Sequence, residues 1–192
     1  MVYPVRSNRF AHEGEPPMAL IILEQPDQTV YGVRVVGPYE RSIMQGFIQL
    51  TRWRKARNLS GGNILTLYWD NPLTVANESL RADVVFTLEE DAEPLALQKL
   101  NRGNVQVKEQ VIPGGIYAMW RTRVFKTDFV KAWREFYERH LEESEYRPCV
   151  GACYARYLNE GTEADYFDIE IHQSVCLRAS LASGAVQPFV SA

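Results

Sequence analysis

The chain has 192 residues, of which 46% are hydrophobic and 23% charged, with 12 glycines and 10 prolines. This composition excludes a disordered or fibrous protein and leaves one domain or two small, closely packed lobes. Lysine and arginine total 21 against 24 aspartates and glutamates, a formal net charge of −3, which argues against direct DNA binding through a broad basic surface. The longest apolar stretches, such as Met18 to Leu23, fall far short of the roughly 20 residues that span a bilayer, so no membrane association is expected. Cys149, Cys153 and Cys176 cannot all pair and are too few for a disulfide scaffold, which fits a reducing, cytoplasmic setting.

Residues 1–17 are polar and end in Glu15-Pro16-Pro17, unlike a secretory signal, and read as a flexible extension before a fold that begins at Met18. Met18 to Glu24 and Thr29 to Val36 read as strands separated by the turn-prone Pro26-Asp27. Gly37-Pro38 ends the second strand. From Tyr39 to Asn58, Ile43, Phe47, Leu50 and Trp53 recur at helical spacing and predict an amphipathic helix with its lysines and arginines solvated. Strands follow at Ile64 to Trp69 and Arg81 to Leu88, then a polar connection with a helical turn near Leu95 to Leu100. Val105 to Ile112 and Ile116 to Val124 are strand-like around Pro113-Gly114-Gly115. Thr127 to Leu141 reads as a helix with Thr127 as N-cap, and Ala152 to Leu158 and Tyr166 to Val175 as the last strands, with residues 178–192 a loose tail.

The second half thus repeats the order of the first about 85 positions later, TVYGVRVVGPY with its helix answering GGIYAMWRTRV with its helix. The predicted fold is α+β: two pseudo-symmetric strand-helix-strand-strand modules, about 29–88 and 105–175, within residues 18–177. Their antiparallel sheets carry helices on the outer faces, and the uncovered faces form a central groove.

In Tyr166-Phe167-Asp168-Ile169-Glu170-Ile171-His172 a period of two sends Phe167, Ile169 and Ile171 to the helix-covered face. Tyr166, Asp168, Glu170 and His172 fall on the other. A solvated strand face shows the same alternation. Enclosed by aromatic rings, however, the Glu170 carboxylate becomes a partly desolvated anion that attracts an organic cation. Trp69, Tyr39, Trp120 and Tyr154 are candidate aromatic walls, since ring faces attract cations and stack on flat heterocycles. Trp53 and Trp133 sit at core spacing. Scattered histidines, a lone Cys-x-x-x-Cys and the absence of a nucleophile elbow or phosphate-loop lysine give no sign of a metal site, cofactor or covalent nucleophile.

Seven blocks, VRVVGPYE, GFIQLTRW, YWDNP, LRADVVFTL, IPGGIYA, DFVKAWREFYERHLEESEY and YFDIEI, fall in order between Met18 and about Val175 and together resemble the GyrI-like family. The resemblance implies two strand-helix-strand-strand modules with a ligand groove between them. It also implies an effector-binding domain like that of AraC-type transcription regulators, receptive to lipophilic, often cationic aromatic compounds, with a groove glutamate that falls on Glu170. Regulators of this type carry a helix-turn-helix ahead of the domain, for which residues 1–17 are too short, so the chain is expected to stand alone. Two further functions come with the family: modulation of DNA gyrase, and hydrolysis of cyclopropane-bearing drugs with Glu170 as general base.

Overall fold

The computed structural model describes residues 19–89, 92–101, 103–125, 128–159 and 165–178. In chain order these form β1 (Ile21–Gln25), β2 (Gln28–Val36), α1 (Tyr39–Lys55), β3 (Ile64–Tyr68), β4 (Arg81–Phe86), α2 (Leu97–Leu100), β5 (Lys108–Ile112), β6 (Gly115–Phe125), α3 (Phe129–Glu135), β7 (Tyr146–Tyr157) and β8 (Tyr166–Leu177). All eight strands join one antiparallel sheet in the order β1-β6-β8-β7-β3-β4-β2-β5. The fold is α+β, with the two expected modules meeting edge to edge where β3 pairs with β7. The expected extension at 1–17, the N-cap at Thr127 and the tail beyond Arg178 lie outside the described residues.

The outermost strands are exchanged between modules. β1 precedes β2 in the chain yet lies beside β6, and β5 precedes β6 yet lies beside β2. Only Pro26-Asp27 separates β1 from β2, and only Pro113-Gly114 separates β5 from β6, so both ends of the sheet are drawn together and the sheet curls on itself. The two connections touch: the Gly114 N–H donates to Asp27 Oδ1 at 2.6 Å. A Cβ on Gly114 would lie 2.8 Å from Asp27 N, Gln25 O and Pro26 C, which only glycine avoids. An offset of 87 residues relates Pro26 to Pro113, Arg34 to Arg121 and Asp83 to Glu170, and both Arg–acid pairs stand directly opposite in their ladders.

On the helix-bearing face, α1 lays Leu50 and Trp53 against Tyr31, Val33, Val84 and Phe86. Gly46 lets this helix approach closely, since a Cβ there would meet Val84 Cγ2 at 2.6 Å. Further along the same face, Trp133, Phe136, Tyr137 and Leu141 pack on Trp120, Val124, Ile169 and Ile171, and Ile43 and Phe47 touch both clusters. The helix predicted as far as Leu141 is α-helical only to Glu135; it widens into a π-helical turn over Phe136–Leu141, which leaves Phe136, Tyr137 and Leu141 all buried. A separate cluster of Val30, Leu65, Leu67, Val85, Ile112, Tyr117 and Tyr154 fills the inside of the curl.

Of the three cysteines, which cannot all pair, two form a bridge. Cys149 bridges to Cys176 with the Cα atoms 5.7 Å apart. Cys176 stands opposite Arg147 in the β7–β8 ladder, and Cys149 lies two residues along β7 from Arg147, where a register shift between Pro148 and Cys153 bends the strand. The bridge escapes sequence reading because strand register brings these two residues together from 27 positions apart. Cys153 is free and buried.

Candidate functional site

The alternation of β8 places Ile169 and Ile171 under the helices and Glu170 and His172 on the opposite face. Pairing then supplies the neighbours of Glu170: Arg121 stands opposite it on β6 and Arg156 opposite it on β7. Arg121 donates to Glu170 Oε1 through Nη2 and through Nε at 3.1 Å. Arg156 Nη1 and His172 Nε2 each lie 3.4 Å from Oε2. The glutamate is 4% exposed. Two arginines from flanking strands and a histidine from its own strand therefore enclose one buried carboxylate.

Burial pushes the Glu170 carboxyl up, but the hydrogen bonds from His172 and Arg121 and the charges of Arg156 and Arg121 outweigh it and hold it at about 2. Burial pushes His172 below its ordinary value, only partly offset by Glu170, so the ring is neutral at pH 7. With Nε2–H donated to the carboxylate, Nδ1 is left buried without a hydrogen-bond partner. The ring stacks on Tyr154, centroids 4.5 Å apart and planes 8° from parallel. The Tyr154 hydroxyl, pushed up to about 12 by burial, donates to Gln25 Oε1 at 3.0 Å and so ties the site to β1.

Asp168 lies on the same face, two residues from Glu170, and takes two hydrogen bonds from Arg123 at 2.8 and 3.1 Å. The Arg123 guanidinium sits 3.9 Å over the ring of Tyr166. Trp69 is 50% exposed in the other module; its Nε1 donates to Asp83 Oδ2 at 2.7 Å, and Arg34 covers its ring at 5.1 Å. Asp83 is fully buried and accepts from Arg34 Nε and Nη2, both at 2.8 Å.

Glu170, Asp168 and Tyr154 are thus brought together, and Trp69 stands by the related carboxylate of the first module. Tyr39 and Trp120 lie with the helices instead. The Tyr39 hydroxyl donates to Asp70 O at 2.8 Å and its ring meets Tyr68 edge-on, while Trp120 is buried 4.6 Å from the ring of His140. Alternation along β6 carries the signal for Trp120: Tyr117, Met119, Arg121 and Arg123 share one face, so Trp120 takes the other with Ala118 and Val124. Arg121, Arg156, Arg34 and Asp83 complete the two sites and were not among the sequence candidates, because each acquires its role from cross-strand register.

The chain is thus an α+β fold, one antiparallel sheet with helices backing its two modules and a buried carboxylate in each on the inner face. Residues 18–172 match the model of the GyrI-like small molecule binding domain, and the chain belongs to the GyrI-like family. It is similar to the DNA gyrase inhibitor of Yersinia enterocolitica, 45% identical over 158 residues that make up 82% of this chain and 98% of that protein. It is also similar to the DNA gyrase inhibitor of Escherichia coli K12, 34% identical and covering 80% and 94% of the two chains. An uncharacterized conserved protein from Listeria innocua shares the fold at TM-score 0.60 and 10% identity, over 84% of this chain and 94% of that one. The EcmrR C-terminal domain does so at TM-score 0.56 and 13% identity, over 82% and 97%.

Proposed function

We propose that the chain is a receptor for small aromatic molecules, bound on the inner sheet face that carries Glu170, Asp168 and Tyr154 in one module and Trp69 in the other. The observation that carries this reading is the buried, ionised Glu170 with cationic and aromatic side chains fixed around it, an arrangement expensive to maintain for stability alone. The family's small-molecule-binding description supports it. A carboxylate held at about 2 and engaged by three side chains is a weak proton acceptor, so this reading gives Glu170 the task of organising charge and not that of a general base. A lipophilic cation anchored on Glu170 has to take the place of Arg121 or Arg156 at the carboxylate. Thermal-shift screening of an aromatic panel tests the reading. Ligands that raise the unfolding midpoint of the wild type should do so to a different extent in Glu170→Gln, which changes the charge a ligand meets, and equal shifts in both proteins would contradict it.

A second reading, modulation of DNA gyrase, is favoured by the 45% identity to a DNA gyrase inhibitor over almost all of that protein. A supercoiling assay with purified gyrase and the full chain decides it. Loss of supercoiling activity supports it, and full activity at several-fold molar excess of the chain contradicts it.

A further inference from the structure

Glu170 is shared by two arginines, so two guanidinium groups meet one carboxylate. Arg121 and Arg156 bring two positive charges to one carboxylate. His172 is neutral, and the neighbouring Asp168 is matched by Arg123. At the related carboxylate, Arg34 is the one cationic partner of Asp83 among the described residues, and the residue opposite it on β3 is Leu67, where β7 presents Arg156 to Glu170. The departure from symmetry at the carboxylate itself is therefore one added arginine, beside Glu170.

Exposure gives the sign that a ligand meets. The side chains of Arg121 and Arg156 are 34% and 29% exposed, against 5% for Glu170, so the carboxylate lies beneath and the guanidinium groups face outward. Arg121 uses Nε and Nη2 on Glu170 and Arg156 uses Nη1, which leaves each guanidinium with N–H donors that the carboxylate does not take. Planar, permanently charged and held in place from below, the pair has lost little further freedom to give up on binding.

We propose that the Glu170 end of the inner face is a site for small organic anions, in which a ligand carboxylate, phosphate or sulfonate takes the outward donors of Arg121 and Arg156. This assignment rests on the receptor reading and names the ligand's charge. A cation approaching the same surface meets two guanidinium groups first and reaches Glu170 only by displacing an arginine. An anion meets the outward donors of both arginines and displaces no side chain.

Two probes with the same aromatic body separate the cases: 1-pyrenesulfonate and 1-pyrenemethylammonium, titrated by fluorescence into the full chain at low and at 0.5 M salt. The sulfonate should bind at least about tenfold more tightly than the ammonium, and more weakly at high salt. Arg156→Leu, which installs the residue type found opposite Asp83, should weaken sulfonate binding about tenfold, while Arg156→Lys keeps most of it. Ammonium binding as tight as that of the sulfonate would overturn the anion assignment and leave the receptor reading standing, whereas binding of neither probe overturns both. If Arg156→Leu does not fold, the wild-type salt series still decides, because a salt-independent sulfonate affinity overturns the assignment.

Discussion

Asp83 and Glu170 occupy equivalent places in the two modules, each buried and each clamped by an arginine 49 positions before it, yet only Glu170 carries a second arginine. The common part of the two sites is a carboxylate on the middle strand of a three-stranded half, held by the strand beside it. The part that differs comes from the third strand, Leu67 on β3 against Arg156 on β7. One fold repeated twice thus carries one buried carboxylate held by a single arginine and one held by two.

Acid should destabilise the chain through Glu170 and His172. The folded carboxyl titrates at about 2 against an ordinary 4.5, so its contribution is complete above pH 4.5 and is lost as the pH falls from there toward 2. His172 is also held below its ordinary 6.5, so the unfolded chain takes up that proton first and the loss begins just below pH 6.5. Between pH 7 and pH 2 the glutamate alone accounts for about 3 kcal/mol. Urea unfolding at a series of pH values measures this, and Glu170→Gln should flatten the limb below pH 4.5. An unchanged acid slope in that variant would remove Glu170 from the account.

Gly114→Ala should destabilise the chain by about 1–3 kcal/mol, because the added methyl meets backbone atoms that cannot rotate away. The substitution acts where the two exchanged connections touch, so it pushes apart the ends of the curled sheet. Equilibrium denaturation reads the loss directly; a change smaller than about 0.5 kcal/mol, the usual effect of a surface substitution, would show that the contact is not tight.

Thiol counting checks the cysteine arrangement. Burial pushes the Cys153 thiol up to about 12, and Tyr137 lies 3.5 Å from its sulfur, so the folded chain should show no reactive thiol at pH 7. Unfolding without reductant should expose one thiol, and unfolding with reductant three. Reduction of the Cys149–Cys176 bridge, which spans 27 positions, should cost about 3.5 kcal/mol on the loop-closure argument and lower the thermal midpoint. Three reactive thiols in the unfolded, unreduced chain would contradict the bridge.

Much of the fold can be read from local pattern. The period-two run Phe167 to Ile171 and the helical spacing of Leu50, Trp53 and Trp133 place those residues where the structure has them, because each follows from one element's own geometry. The offset from Pro26 to Pro113 marks the repeat, but nothing local shows that β1 and β5 trade places, since that depends on which distant edge each strand meets. The site divides the same way. The face of Glu170 follows from alternation, whereas its enclosure by Arg121 and Arg156 follows from the registers of three strands drawn from separate parts of the chain. For Tyr39 and Trp120 ring chemistry is the whole of the signal, and packing against helices is the commoner fate of such rings.

The most direct test of the central claim is the side-chain Nε–H NMR spectrum of the arginines during titration with 1-pyrenesulfonate. The account predicts that the signals of Arg121 and Arg156 move together and saturate with the ligand while those of Arg34 and Arg81 stay in place. Movement confined to Arg34 and Arg81, or no movement at ligand concentrations that quench or shift the dye, would contradict it.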